Sequence, residues 1–132
     1  MLMKAARVWD ATIALWTIMQ EKRQMPQRGK FLVARMHAKL LPEFKLLNET
    51  RDSMISAYDH TVSVPNGGPD EEGTPTFDTK IAVPEDKVPE FNEIWGKLIL
   101  TEIDVDVSPI SISDLDNIEA IEISLLGELL TE

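Results

Sequence analysis

From about Met3 to Gln24 the apolar residues recur at helical spacing. Val8, Trp9, Thr12, Leu15, Trp16 and Met19 step by three and four, and no Gly or Pro interrupts the run. Ala5, Ala6, Ala11 and Ala14 add helix propensity. Trp9 and Trp16 are seven residues apart and so fall on nearly the same face, while Ile13 and Ile18 make the opposite side partly apolar. Met25-Pro26-Gln27-Arg28-Gly29 reads as a turn, since Pro26 biases Met25 away from helical geometry and Gly29 allows a tight bend. A second helical pattern follows from about Lys30 to Tyr58, through Phe31, Ala34, Ala38, Leu41, Leu47, Met54 and Ile55. Pro42 lies inside it and cannot donate to the carbonyl of Ala38, which predicts a kink or a break there. Two helices joined by so short a turn are expected to form an antiparallel hairpin over 1–58.

The pattern then changes. The stretch Val64 to Pro75 holds three prolines, three glycines and three acids, and 59–76 reads as a flexible Gly/Pro/acidic loop or the tip of a long hairpin. Phe77 to Val83 alternates as a strand does. Pro84-Glu85-Asp86 then opens a third helix with Val88, Phe91, Trp95, Leu98 and Ile99 along one stripe. Glu102 to Val107 has a strict period of two, with Ile103, Val105 and Val107 on one side and three acids on the other. Pro109 ends that strand. Ile110 and Ile112 suggest an extended piece, Asp114 to Asn117 a turn, and Ile118 to Ile123 another strand-like piece. Ser124 then suits the cap of a final helix, Leu125 to Leu130. The expected fold is α+β: one domain over 1–132, with the helical hairpin packed against a small sheet and third helix from an acidic half, 77–132.

Charge sharpens the division. The net charge of -10 separates into +4 over residues 1–60 and -14 over residues 61–132. Such polarity implies two electrostatic faces, or two halves that neutralise each other on folding. Lys22, Arg23, Arg28, Lys30, Arg35 and Lys39 concentrate the positive charge around the first turn and the second helix. They suit an acidic protein surface, or a cover supplied by the chain's own acidic half. Direct nucleic-acid binding is disfavoured, because the molecule as a whole repels phosphate. The absence of cysteine excludes disulfides, thiolate metal sites and a cysteine nucleophile. No apolar run approaches the ~20 residues of a membrane span and no signal peptide is evident, so a soluble intracellular protein is expected.

Candidate chemistry is sparse. His37 has no acid at the neighbouring helical positions, and His60 lies at the edge of the Gly/Pro-rich segment. Asp104-x-Asp106, with Glu102 extending the row, places carboxylates on one strand face where a cation could sit. The plainer reading is an acidic face that keeps an exposed strand from pairing. Asp70-Glu71-Glu72 lacks the ligand spacing of a calcium loop, and no phosphate-binding glycine loop or nucleophile elbow is present. An enzyme therefore has no positive support, and no cofactor or metal is expected. Trp9 and Trp16, with Phe31 and Phe44, exceed what two helices bury, which points to self-association or docking on a partner.

The order of several segments carries a resemblance. Gln24-Met25-Pro26-Gln27-Arg28-Gly29-Lys30-Phe31-Leu32-Val33-Ala34-Arg35 leads into Leu40-Leu41-Pro42-Glu43-Phe44 and the charged run Asn48 to Asp52. The acidic Gly/Pro insert follows, then Pro89-Glu90-Phe91-Asn92 and the strand Glu102 to Val107. This order resembles a group of small tailed-bacteriophage proteins. The resemblance implies a virion structural or assembly protein located in the particle or the host cytoplasm. Its other implication is a phage-made acidic inhibitor that mimics nucleic acid before a host enzyme. It carries no catalytic residue over. The expectation is a homo-oligomeric, non-enzymatic protein with protein partners, whose contacts draw on Trp9, Trp16, the six basic residues, Glu102, Asp104 and Asp106.

Overall fold

The computed structural model describes the backbone of residues 1–21, 24–69, 73 and 75–132, and side chains over the same residues except 64–69 and 75–78. The fold is α+β. Its elements are β1 (Leu2–Lys4), α1 (Ala5–Gln20), α2 (Gln27–Ser56), β2 (Thr61–Pro69), β3 (Pro75–Ile81), α3 (Val88–Leu98), β4 (Glu102–Asp104), β5 (Ile110–Ser111), α4 (Ala120–Leu126) and β6 (Leu130–Thr131). Short 3-10 turns precede α3, follow β5 and follow α4. Where one small sheet is expected, the strands form three separate pairs, β1 with β4, β2 with β3, and β5 with β6.

The chain divides into two compact units, Met1–Asn48 with Lys97–Glu132, and Glu49–Gly96.

The first unit holds the main core. Val8, Ala11, Ala14, Leu15 and Ile18 of α1 meet Val33, Met36 and Leu40 of α2, with Val105, Ile110, Leu115, Leu126 and Leu129 closing round them. The buried face of α1 keeps Val8, Thr12 and Leu15 of the expected stripe but is rotated off its tryptophans toward Ala11, Ala14 and Ile18. Ile18, expected on the opposite side, is buried, and Trp16 is 51% exposed. Alanines at 11 and 14 explain this, because small side chains let neighbouring backbone come close while the indoles cannot be accommodated there. The first α1 donors, orphaned by helix geometry, are satisfied from a distance: Ala5 N–H donates to Thr101 O at 2.9 Å and Ala6 N–H to Ile99 O at 2.8 Å. Residues 2–4, expected as the helix start, instead pair antiparallel with β4, with Met3 opposite Ile103.

α2 begins at Gln27, three residues before the expected start, and it runs on through Pro42, where a kink or a break is expected, without a break. The role of Gly29 also differs. It is buried in the first turn of α2, and a Cβ there would run into the backbone carbonyl of Asp114. The strand-like piece at Ile118 to Ile123 is helical, since α4 starts at Ala120. Glu119 and Glu122 form a capping box, with the Glu119 N–H donating to Glu122 Oε1 at 2.9 Å. Ser124 accordingly lies inside α4 rather than capping a later helix. The alternation over 102–107 holds in burial: Val105 is buried, Ile103 and Val107 are half-buried, and the acids between them are exposed.

In the second unit, much of the segment expected as a loop forms the arms of an antiparallel hairpin. Thr61 pairs with Ile81 and Pro65 with Phe77, and the register shifts between Pro65 and Pro69. Ala82 N–H donates to His60 O at 2.9 Å and lengthens the ladder. In the same unit, Arg51 lies over the ring of buried Phe91, 5.8 Å from the centroid. Asp70, Glu71 and Glu72 fall outside the described residues.

Candidate interaction surfaces

The first surface is a groove between α1 and α2, lined by Thr12, Ile13, Trp16, His37, Leu41 and Phe44, with a volume of about 440 Å³. Helical spacing sets its walls, Ile13 and Trp16 from α1 and His37, Leu41 and Phe44 from α2. Trp9 meets Phe44 at 4.6 Å between ring centroids, and Trp16 stacks on His37 at 5.6 Å and 28°. These two contacts run in opposite senses along the helices, so α1 and α2 are antiparallel. Thr12, at the bottom, donates its hydroxyl to Val8 O at 2.7 Å and leaves no polar demand on the groove. Burial pushes the His37 imidazole below its usual range, so it is neutral near pH 7. The groove is therefore uncharged and rimmed by side chains that remain in water.

The second surface is a cleft of about 450 Å³ along the other side of α2. Arg28, Leu32, Arg35, Met36 and Lys39 form one wall, and residues 106–111 with Asp114 and Thr131 form the other. Ion pairs close it toward both ends. Lys39 Nζ donates to Asp106 Oδ2 at 2.8 Å, and Arg28 Nε to Asp114 Oδ2 at 3.5 Å. The hydrogen bond and charge of Lys39 hold the Asp106 carboxyl below its ordinary value, with smaller help from the N-terminal ammonium and Arg35. Among the described residues Arg35 itself has no ion pair.

The predicted interaction residues therefore divide between surfaces. Trp16 borders the groove, and Trp9 lies half-buried on Phe44. Arg28, Arg35, Lys39 and Asp106 meet in the cleft. Asp104 accepts from the N-terminal ammonium at 3.2 Å, Glu102 is exposed opposite Lys4, and Lys30 is exposed outside the cleft lining. Lys22 and Arg23 lie outside the described residues. The Glu102, Asp104, Asp106 row is thus drawn partly into internal pairing. Among the described residues no group of three or more His, Asp or Glu is placed to hold a metal ion. Likewise no described helix is long and apolar enough to cross a membrane.

The sequence reading missed Leu41 and His37 as groove residues, and Ser108, Ser111 and Asp114 as cleft residues. The apolar back of α1 at Ile13 and the surplus aromatic at Phe44 were the available signals for the groove. Nothing local marks the cleft, because its second wall comes from a segment roughly seventy residues farther along the chain. No family model, curated protein or solved structure matches this chain.

Proposed function

We propose that the chain is a non-enzymatic protein–protein interaction component that associates with a second copy of itself through the α1–α2 groove, as a structural or assembly part of a phage particle. The observation that carries this reading is the uncharged groove with Trp16 51% and Ile13 43% exposed at its rim. One face offers both projecting side chains and a recess, which is what a two-fold pairing requires of a single patch. Two antiparallel helices that leave an apolar stripe bare are also half of a four-helix bundle. The alternative, an acidic mimic of nucleic acid, draws less support because Asp104 and Asp106 are engaged by cations of the same chain. The phage setting rests on the sequence resemblance and is tested by mass spectrometry of purified particles.

The groove is apolar, and two copies of net charge -10 repel at long range. Salt should therefore strengthen the dimer by screening that repulsion. Sedimentation equilibrium at about 50 μM is expected to give a dimer in moderate salt. Trp16→Glu should give a folded monomer, since it sets a charge into an apolar contact. A monomeric unmutated chain at high salt overturns the reading, as does an undisturbed dimer in the variant.

A further inference from the structure

We propose that the cleft beside α2 is a binding site for a small organic anion, a carboxylate or phosphate group on a hydrocarbon body, with Arg35 as the cation that takes the charged head. The inference rests on the arrangement of charge, not on its amount. Arg28, Arg35 and Lys39 recur at steps of seven and four along one helix face, over roughly 16 Å at ~1.5 Å per residue. The two outer cations are each held by a carboxylate of the opposite wall, Arg28 by Asp114 and Lys39 by Asp106. Arg35, between them, faces the same cleft without an ion pair among the described residues. The middle of the cleft is consequently positive and its ends are neutralised.

The lining fits the rest of such a ligand. Leu32, Met36 and Ile110 supply an apolar floor, and the buried Met36 and Ile110 keep water from one side of the site. A guanidinium beside apolar surface binds an oxyanion more firmly than one surrounded by water, because the local dielectric is lower and the planar fork matches two oxygens. The volume of about 450 Å³ lies within the size of small-molecule sites. A nucleic-acid strand suits the cleft less well, since Asp106 and Asp114 sit at its two ends and the whole chain carries -10. The same two carboxylates confine the anion to the middle.

The test is an amide NMR titration of the full chain at constant ionic strength, with benzoate, phenyl phosphate and inorganic phosphate as separate probes. Benzoate or phenyl phosphate should shift the amides of residues 107–111 and of Arg35, and the tighter of the two identifies the head group. Arg35→Gln should weaken that probe about tenfold or more, the loss expected for a charged hydrogen bond. Arg35 is exposed, so the variant should melt with the unmutated protein; Lys30→Gln, outside the cleft, should bind as before. Three results overturn the proposal: no shifts from either organic probe, undiminished binding in Arg35→Gln, or inorganic phosphate binding as tightly as phenyl phosphate.

Discussion

Gly29 stands where the first turn of α2 presses on the carbonyl of Asp114, and that approach is closer than any Cβ allows. The constraint is local contact, since Gly29 lies within a regular helix and needs no unusual backbone angle. Gly96, in the last turn of α3, has open space where its Cβ would be. The two positions should respond with opposite signs. Gly29→Ala forces apart the turn that brings Asp114 to Arg28 and should cost about 1–3 kcal/mol. Gly96→Ala should stabilise by about 0.5–1 kcal/mol, because alanine loses less backbone freedom in a helix. Urea midpoints of the two variants check both signs, and equal shifts in one direction would contradict the packing account.

At the scale of elements, α2 runs from Gln27 to Ser56 through Pro42. The ring removes one helical donor, so the Ala38 carbonyl loses its partner, and both residues are exposed where water can replace it. Pro42→Ala should restore the bond and raise the unfolding free energy by roughly 1–3 kcal/mol. Thermal melts of the variant measure it, and a lower melting temperature would show that the surrounding packing depends on the proline ring. The elements themselves were legible to differing degrees. Both long helices follow from the spacing of Val8, Leu15, Leu41 and Leu47, but the stripe read for α2 is offset from its buried face, since Phe31, Ala34 and Ala38 are exposed while Val33, Met36 and Leu40 are buried. The alternation at 102–107 marks a strand that pairs only over Glu102–Asp104. α4 was not legible as helix, because Ile118, Ile121 and Ile123 fit a strand as well as a short amphipathic turn. What decides it is the Glu119–Glu122 capping box and burial of Leu126 against α1, a tertiary effect. The arms of the β2–β3 hairpin were masked by Pro65, Gly67 and Gly68, residues that composition assigns to loops. The groove was partly legible from Trp16, Ile13 and Phe44. The cleft was not, because its walls are brought together only by folding.

In the whole molecule, Met1 to Asp104, Arg28 to Asp114 and Lys39 to Asp106 each join the basic half of the sequence to the acidic half. The polarity of the chain is thus used, in part, within a single copy. Acid should lower stability in two ranges, first through the buried His37 and then through the Lys39–Asp106 pair. His37 has a folded pKa below its unfolded value, so between the two the unfolded chain binds more protons and stability falls as pH drops from about 6.5. Asp106 has its folded pKa depressed by Lys39, so its contribution is whole above its unfolded pKa and disappears as pH falls through the folded one. Urea midpoints from pH 8 to 3 should therefore decline in two steps, and His37→Gln should remove only the upper one. A flat profile between neutrality and the carboxylate range would contradict the burial of His37. The pairing of β1 with β4 has a consequence for how the protein is made. A ribosome adding about 5–20 residues per second releases α1 some 5–20 seconds before Ile99, Thr101 and Leu126 exist to cover it. For that interval only α2 can cover the apolar residues of α1, and the side later closed by Val105, Leu126 and Leu129 stays in water.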